Sequence, residues 1–398
     1  MKAVKTLLLV VATLMAANLS FAQTWTPSGA PNLNWQCVAS SADGSRLFAV
    51  ASPWVYCIST NSGSTWITNT EPQYPTYGSW SSIASSADGT TLVGINYTLI
   101  WVSTNSGTTW FSNNVPGASF FASVALSADG KKITVADGKQ SSPGLIYTST
   151  NSGVTVTPTT APAYNWTSVA SSVDGTKLVA AALNSSQGGV VIYTSTNSGA
   201  TWVLKSIPGY YWQSVASSAD GTKLVVVEYA GPIYTTTNSG ATWATNSTAG
   251  FNWQSVASSA DGTKLVAVEA GGFIYTSTNS GATWTSNNVL LAGWLSVASS
   301  ADGSKLVAAT PQAGFAGTDN RIYTSYSTPA PSLSVAPSGS NLTLAWTLPS
   351  TNFVLQQSAD LFSWAGVTNP PVLNLTNLQN QVTLPPSGSS GFYRLKTP

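Results

Sequence analysis

Carboxylates and aromatic rings carry most of the chemistry open to this chain, because it contains no histidine. A Ser-His-Asp triad and a His-ligated metal centre are therefore excluded. Seven of the 13 acidic residues occupy one recurring position, in Ser-Ala-Asp-Gly or a near variant: Asp43, Asp88, Asp129, Asp174, Asp220, Asp261 and Asp302. An Asp followed by Gly caps its own tight turn, so these read as hairpin caps rather than a ring of metal ligands. Glycoside hydrolysis requires two carboxylates about 5–10 Å apart. Asp137, Glu228 and Glu269 each stand eight residues after their repeat Asp, and Glu228 and Glu269 fall in neighbouring repeats. That makes them the best candidate acid pair, set against the plainer reading of solvated strand ends. No phosphate-binding or dinucleotide glycine motif occurs, and no metal or other cofactor is expected.

Aromatic residues form the second chemical pattern. One stands eight residues before each repeat Asp: Trp35, Trp80, Phe121, Trp166, Trp212, Trp253 and Trp294. Their strict recurrence favours packing between units. Tyr74, Tyr77, Tyr164, Tyr210, Tyr211 and Phe251 lie in the linkers just ahead, where the repeat does not demand them. Together with Glu228 and Glu269 they are the expected ligand contacts, since flat rings with a few polar neighbours suit sugars or apolar peptide segments.

The elements that must position these residues follow from the repeat. The spacings between successive Asp residues are 45, 41, 45, 46, 41 and 41, a period that fits one four-stranded propeller blade. In the clearest copy, Trp253 to Ser259 is the first strand and Ala260-Asp261-Gly262 a turn. Lys264 to Glu269 is the second strand, broken by Gly271-Gly272. Phe273 to Thr278 is the third, and Ala282 to Thr285 the fourth after Asn279-Ser280-Gly281. The small Ala-Ser-Ser run of the first strand suits convergence on a central channel. The last repeat lacks a fourth strand, and Thr24-Trp25-Thr26 supplies one. Trp25 precedes Trp35 by ten residues, as Trp284 precedes Trp294. The reading is an all-β, seven-bladed β-propeller over residues 23–328, closed by an N-terminal strand, which removes its free edges. Residues 329–332 form a Pro-rich linker, and 333–398 a small C-terminal β-sandwich.

The turn between third and fourth strands resembles the Asp-box, or BNR, repeat of sialidases, sortilin-like receptors and photosystem II assembly-factor propellers. The family pattern is Ser-x-Asp-x-Gly-x-Thr-Trp. Here the copies run from Ser59 to Trp66, Ser103 to Trp110, Ser149 to Val156, Ser195 to Trp202, Thr236 to Trp243 and Ser277 to Trp284. All carry Asn in place of the Asp: Asn61, Asn105, Asn151, Asn197, Asn238 and Asn279. Asn keeps the side-chain acceptor that such a turn uses, and the resemblance implies a structural role. It does not carry over the sialidase chemistry. That family clamps its substrate with three arginines, and here the propeller holds only Arg46 and Arg321, with Arg394 in the tail.

Composition bounds the rest. Lys2 and Lys5, the apolar stretch Thr6 to Ala17 and the small-x-small site Ser20-Phe21-Ala22 mark residues 1–22 as a signal peptide, with Gln23 first in the exported chain. The periplasm, the cell surface and the medium are all open as destinations. Charged residues make up 7 % and no basic patch is visible, so nucleic acid is not an expected partner. No later segment could span a membrane as a helix. Cys37 and Cys57 fall on the first and third strands of one blade, about 9–10 Å apart, so free thiols are expected rather than a disulfide. The function that results is a secreted, non-catalytic, monomeric binding or scaffold protein for a glycan or protein surface. The alternatives are a glycoside hydrolase-like enzyme using the acid pair, or a structural envelope or surface protein.

Overall fold

A computed structural model describes residues 23–70, 79–138, 143–184, 189–209, 211–311 and 320–327, and in the C-terminal part 333–338, 341–347, 354–358, 363, 365–374, 379–385 and 392–396. Every regular element among these residues is a β-strand. Tyr74, Tyr77 and Tyr210, and the expected leader, lie outside the described residues.

Val-, Ile- and Leu-rich runs between Gly turns build the sheets. The first is Asn34–Ser40, Leu47–Ser52, Val55–Ser59 and Ile67–Thr70, paired antiparallel in chain order. The next three repeats give the same four-stranded meander. The fifth and sixth depart from expectation. Their second and third strands are not separate: Leu224–Thr236 and Leu265–Ser277 are single elements with register shifts at Gly231 and Gly272. Gly271, at φ 76°, bends the chain without ending its strand conformation. Ala244–Ser258 likewise runs on from one repeat into the next.

The last repeat is completed from the other end of the chain. Trp25–Pro27 pairs antiparallel with Ile322–Tyr326, with Trp25 opposite Ser325. Trp25 packs into a cluster with Val297, Trp294 and Tyr323.

Each first strand contacts that of the next repeat, and the last contacts the first. A circuit of backbone hydrogen bonds follows the same course. Ala42 N–H donates to Ala87 O, Ala87 to Ala128, Ala128 to Val173, Val173 to Ala219, Ala219 to Ala260, Ala260 to Ala301, and Ala301 back to Ala42. Donor–acceptor distances run from 2.6 to 2.9 Å. Since Ala or Val occupies every station, the turns approach closely enough to bond without a side chain between them.

Between sheets the cores are apolar. Trp35, Phe121, Trp166, Trp212, Trp253 and Trp294 are buried to within 1 %. Such burial stabilises each large side chain by a few kcal/mol, which explains why an aromatic recurs there.

The C-terminal part has two sheets. One orders Leu333–Ser338, Asn341–Thr347, Gln379–Leu384 and Val372–Asn374; the other orders Ala365–Gly366, Val354–Ser358 and Phe392–Lys396. Leu344, Trp346, Val382 and Leu384 from the first meet Leu355 from the second in one apolar cluster.

Candidate functional site: the two mouths of the ring

First strands run from the repeated aromatic to the Asp turn, so the ring has two unlike ends. One end carries the Asp and Asn turns. The other carries the linkers and the loops between second and third strands.

At the turn end each Asp binds its own hairpin. Asp43 accepts from Ser41 Oγ at 2.6 Å and from Ser45 N–H at 2.9 Å. Asp88, Asp129, Asp174, Asp220, Asp261 and Asp302 make the same pair of contacts. Burial alone would raise these carboxyls. At Asp43, Asp88, Asp129, Asp174, Asp220 and Asp261 the hydrogen bonds outweigh it and hold the carboxyl below its usual range. At Asp302 burial is deeper and wins, so that carboxyl is pushed up.

The Asn turns are equally self-contained. Asn279 Oδ1 accepts from Ser277 Oγ and Thr283 N–H, and its Nδ2 donates to Thr283 Oγ1 at 2.8 Å. Asn61, Asn105, Asn151, Asn197 and Asn238 repeat the Nδ2 bond, to Thr65, Thr109, Thr155, Thr201 and Thr242. Aspartate has no such donor. Asn therefore makes this turn with a bond of its own.

Two further circuits were not read from the sequence. The residue three after each repeat Asp lays its side chain over the turn glycine of the next repeat: Arg46 over Gly89, Lys177 over Gly221, Lys264 over Gly303 and, closing the circle, Lys305 over Gly44. Lys305 sits between Asp43 and Asp302, and burial pushes its ammonium below the usual range against the pull of both carboxylates. Inside the channel, Ser123, Ser168, Ser214, Ser255 and Ser296 each accept an N–H from the next first strand through Oγ. Cys37 takes the equivalent station in the first repeat, 3.6 Å from Ser296 Oγ and 4.0 Å from Ser82 Oγ. Both cysteines are free thiols, and burial raises that of Cys57. The repeat periodicity contained both signals, Lys or Arg at Asp plus three in six repeats and Ser at aromatic plus two in six. A cavity of about 180 Å³ opens at this end, lined by the Ser and Ala residues from Ser40 round to Ser299 and Ala301.

The opposite end holds the residues expected to bind a ligand. Asp137, 1 % exposed, accepts from Ser119 N–H at 2.9 Å, Ser119 Oγ at 3.0 Å and Phe120 N–H at 2.6 Å. Glu269 accepts the N–H groups of Phe273 and Asn252, and burial pushes its carboxyl up despite them. Glu228 is buried and stands opposite Trp212 in the ladder, and burial, with Glu228 nearby, raises the Tyr234 phenol. Gly231 and Gly272 make room for these carboxylates, since a Cβ there would fall 2.4 and 1.9 Å from Oε2. Asp137 and Glu269 thus pin a linker or loop to their own sheet.

Phe251 packs on Trp253 and Tyr275, with ring centroids 5.5 and 5.3 Å away. Tyr164 lies against Trp166 and Tyr193, and together with burial it lifts the Tyr193 phenol to about 12. Tyr211 stands 55 % exposed, and its carbonyl accepts Tyr229 N–H, which brings a second exposed tyrosine beside it. Tyr97, 48 % exposed, meets Phe120 edge-on at 5.3 Å. Tyr97 sits in the turn between second and third strands, and Tyr229 at the register shift inside Leu224–Thr236, where no repeat position marks them.

No family model matches the chain, and no curated protein does. Solved structures do. YCF48 from Cyanidioschyzon merolae aligns with a TM-score of 0.58 at 16 % identity, over 76 % of this chain and 98 % of that one. YCF48 bound to D1 peptide gives 0.57 at 15 %, over 78 % and 96 %. The WD40 repeats of RRP9 give 0.62 at 12 %, over 76 % and 97 %. This chain folds as a β-propeller. At these identities the likeness carries the fold alone, and the propeller's two mouths must be interpreted from their own side chains. Among its described residues no helix is long and apolar enough to cross a membrane.

Proposed function

We propose that this is an exported, non-catalytic propeller of seven blades that acts as a scaffold and binds a protein segment at its linker end. The observation that carries the reading is a division of labour there. Asp137 and Glu269 spend their oxygens on their own backbone, while Tyr97, Tyr211 and Tyr229 stand exposed. Fixed carboxylates and outward rings favour recognition of an uncharged, partly apolar surface. A structural neighbour, YCF48, is bound to a D1 peptide, which supports a protein partner.

The seven-blade count draws support from the circuit of backbone bonds that returns to Ala42. Membership of the Asp-box group draws support from the recurring Ser-x-Asn-x-Gly turn, and the tail as a sandwich from the cluster shared by its two sheets. Export rests on the leader pattern, and a monomer on the pairing of the N-terminal strand with the last repeat in one sheet.

A glycan ligand is the second reading, since exposed tyrosine faces also stack on sugar rings. Hydrolysis is the third, favoured by the raised carboxyl of Glu269, the state a general acid needs. A peptide array and a glycan array on the exported protein, run beside a hydrolysis screen, test all three. Peptide binding that falls at least tenfold in Tyr211→Ala and Tyr229→Ala, with an unchanged melt, supports the proposal. Turnover abolished in Glu269→Gln refutes it.

A further inference from the structure

The start of the N-terminal strand is held by a contact built for one neutral donor. Gln23 N–H donates to Asn287 Oδ1 at 2.9 Å, bridging to the fourth strand of the adjacent blade. Asn287 is 0 % exposed. Its amide cannot turn to offer anything else, because Nδ2 is spent on Ile274 O at 3.2 Å and Thr276 Oγ1 at 3.1 Å. The Gln23 side chain lies inward as well, and its Oε1 is buried without a hydrogen-bond donor.

Removal of residues 1–22 would turn the Gln23 nitrogen into an α-amine. An ammonium there would bring three donors and a full charge to two neutral amide oxygens, Asn287 Oδ1 and the residue's own Oε1, two residues from the buried Trp25, so the seat favours the uncharged amine. The uncharged amine is the nucleophile. It sits on the residue type whose own side-chain amide closes a five-membered ring.

We propose that the exported chain carries Gln23 as pyroglutamate, with its lactam N–H seated on Asn287. The α-nitrogen attacks Cδ, the new N–Cδ bond forms, the Cδ–Nε2 bond breaks, and ammonia leaves with the proton lost by the amine. No oxidant, reductant or second substrate takes part. The product has one N–H and no charge, which matches a single fixed acceptor. The proposal rests on the export reading.

The test is mass analysis of the N-terminal peptide of the full chain after secretion. A peptide that begins at residue 23 and is lighter by one ammonia than its open glutamine form supports the proposal. A peptide that begins at residue 23 with open glutamine overturns the lactam and leaves export standing. A start at another residue overturns the lactam and the cleavage position, and a chain that keeps residues 1–22 overturns export as well. The seat has its own readout: pyroglutamyl aminopeptidase should act slowly on the native protein, and at least tenfold faster on Asn287→Ala or after unfolding. Equal rates on native wild type and Asn287→Ala overturn the assignment of Asn287, and the mass reading needs no variant.

Discussion

Replacing Trp25 with alanine should weaken the joint between the N-terminal strand and the last repeat. The side chain is 9 % exposed, lies 6.5 Å from Trp294, and belongs to a cluster with Tyr323 and Val297. A buried Trp→Ala change costs about 3–5 kcal/mol. With an unfolding entropy of about 2.1 cal/mol/K per residue over roughly 300 propeller residues, the melting temperature should drop by about 5–8 °C. Removing residues 23–28 should cost more. It deletes the partner of Ile322–Tyr326, the Ser28 N–H bond to Ile322 O and the Gln23 anchor, leaving an unpaired strand edge. Trp202→Ala is the control, since that ring is half-buried in the corresponding turn of the fourth repeat and packs, among the described residues, only on those of the third and fourth repeats. Scanning calorimetry of the three variants decides. If Trp25→Ala or the truncated chain melts within a degree of wild type, the closure argument is wrong.

Cys37→Ser restores the hydroxyl that five other blades use to accept an N–H, so stability should hold or rise by about 1 kcal/mol, and a denaturant midpoint lowered by more than that contradicts the channel circuit. Gly44→Ala places a Cβ 2.8 Å from the Lys305 stem at φ 64°, and equilibrium unfolding should show a loss of about 1–3 kcal/mol. Carboxyls held low, such as Asp88 and Asp43, add stability that is present above the unfolded value of about 3.9 and drains away as pH falls below it. The raised Asp302 has the opposite sign: its contribution is present below that value and lost as pH rises through its folded value. Asp302→Asn should therefore be neutral or stabilising at pH 7, since Oδ1 alone accepts from Ser300 and Ser304, whereas Asp261→Asn should lose about 1 kcal/mol because Thr263 uses both oxygens; melts at pH 7 and pH 4 that reverse this order refute the assignment.

Most of the architecture was legible before any coordinates. A four-strand unit cannot bury both its faces alone, so a motif that recurs every 41–46 residues implies stacking. Trp25 is recognisable as the missing partner of the last repeat by its offset from Trp35. Strand ends were less legible: the Gly271-Gly272 pair reads as a break, yet Leu265–Ser277 continues through it, because φ > 0 at one glycine turns the chain without interrupting the ladder.

The candidate site divides in the same way. Sequence periodicity separates repeated residues from unrepeated ones, and the repeated Asp, Asn and aromatic residues do bond or pack within the sheets. It does not tell which unrepeated aromatic faces solvent. Phe251 folds inward against Tyr275, Tyr211 points out, and Tyr97 and Tyr229 join it from a turn and a register shift that carry no motif. Nor does it tell that Asp137 and Glu269 will find backbone N–H groups, since those donors lie in linkers whose path is set by the neighbouring sheet. Local spacing fixed the unit and the order of the strands. Which side chains are left over for a partner was decided only when the units met, because burial and hydrogen-bond satisfaction depend on neighbours far apart in the chain.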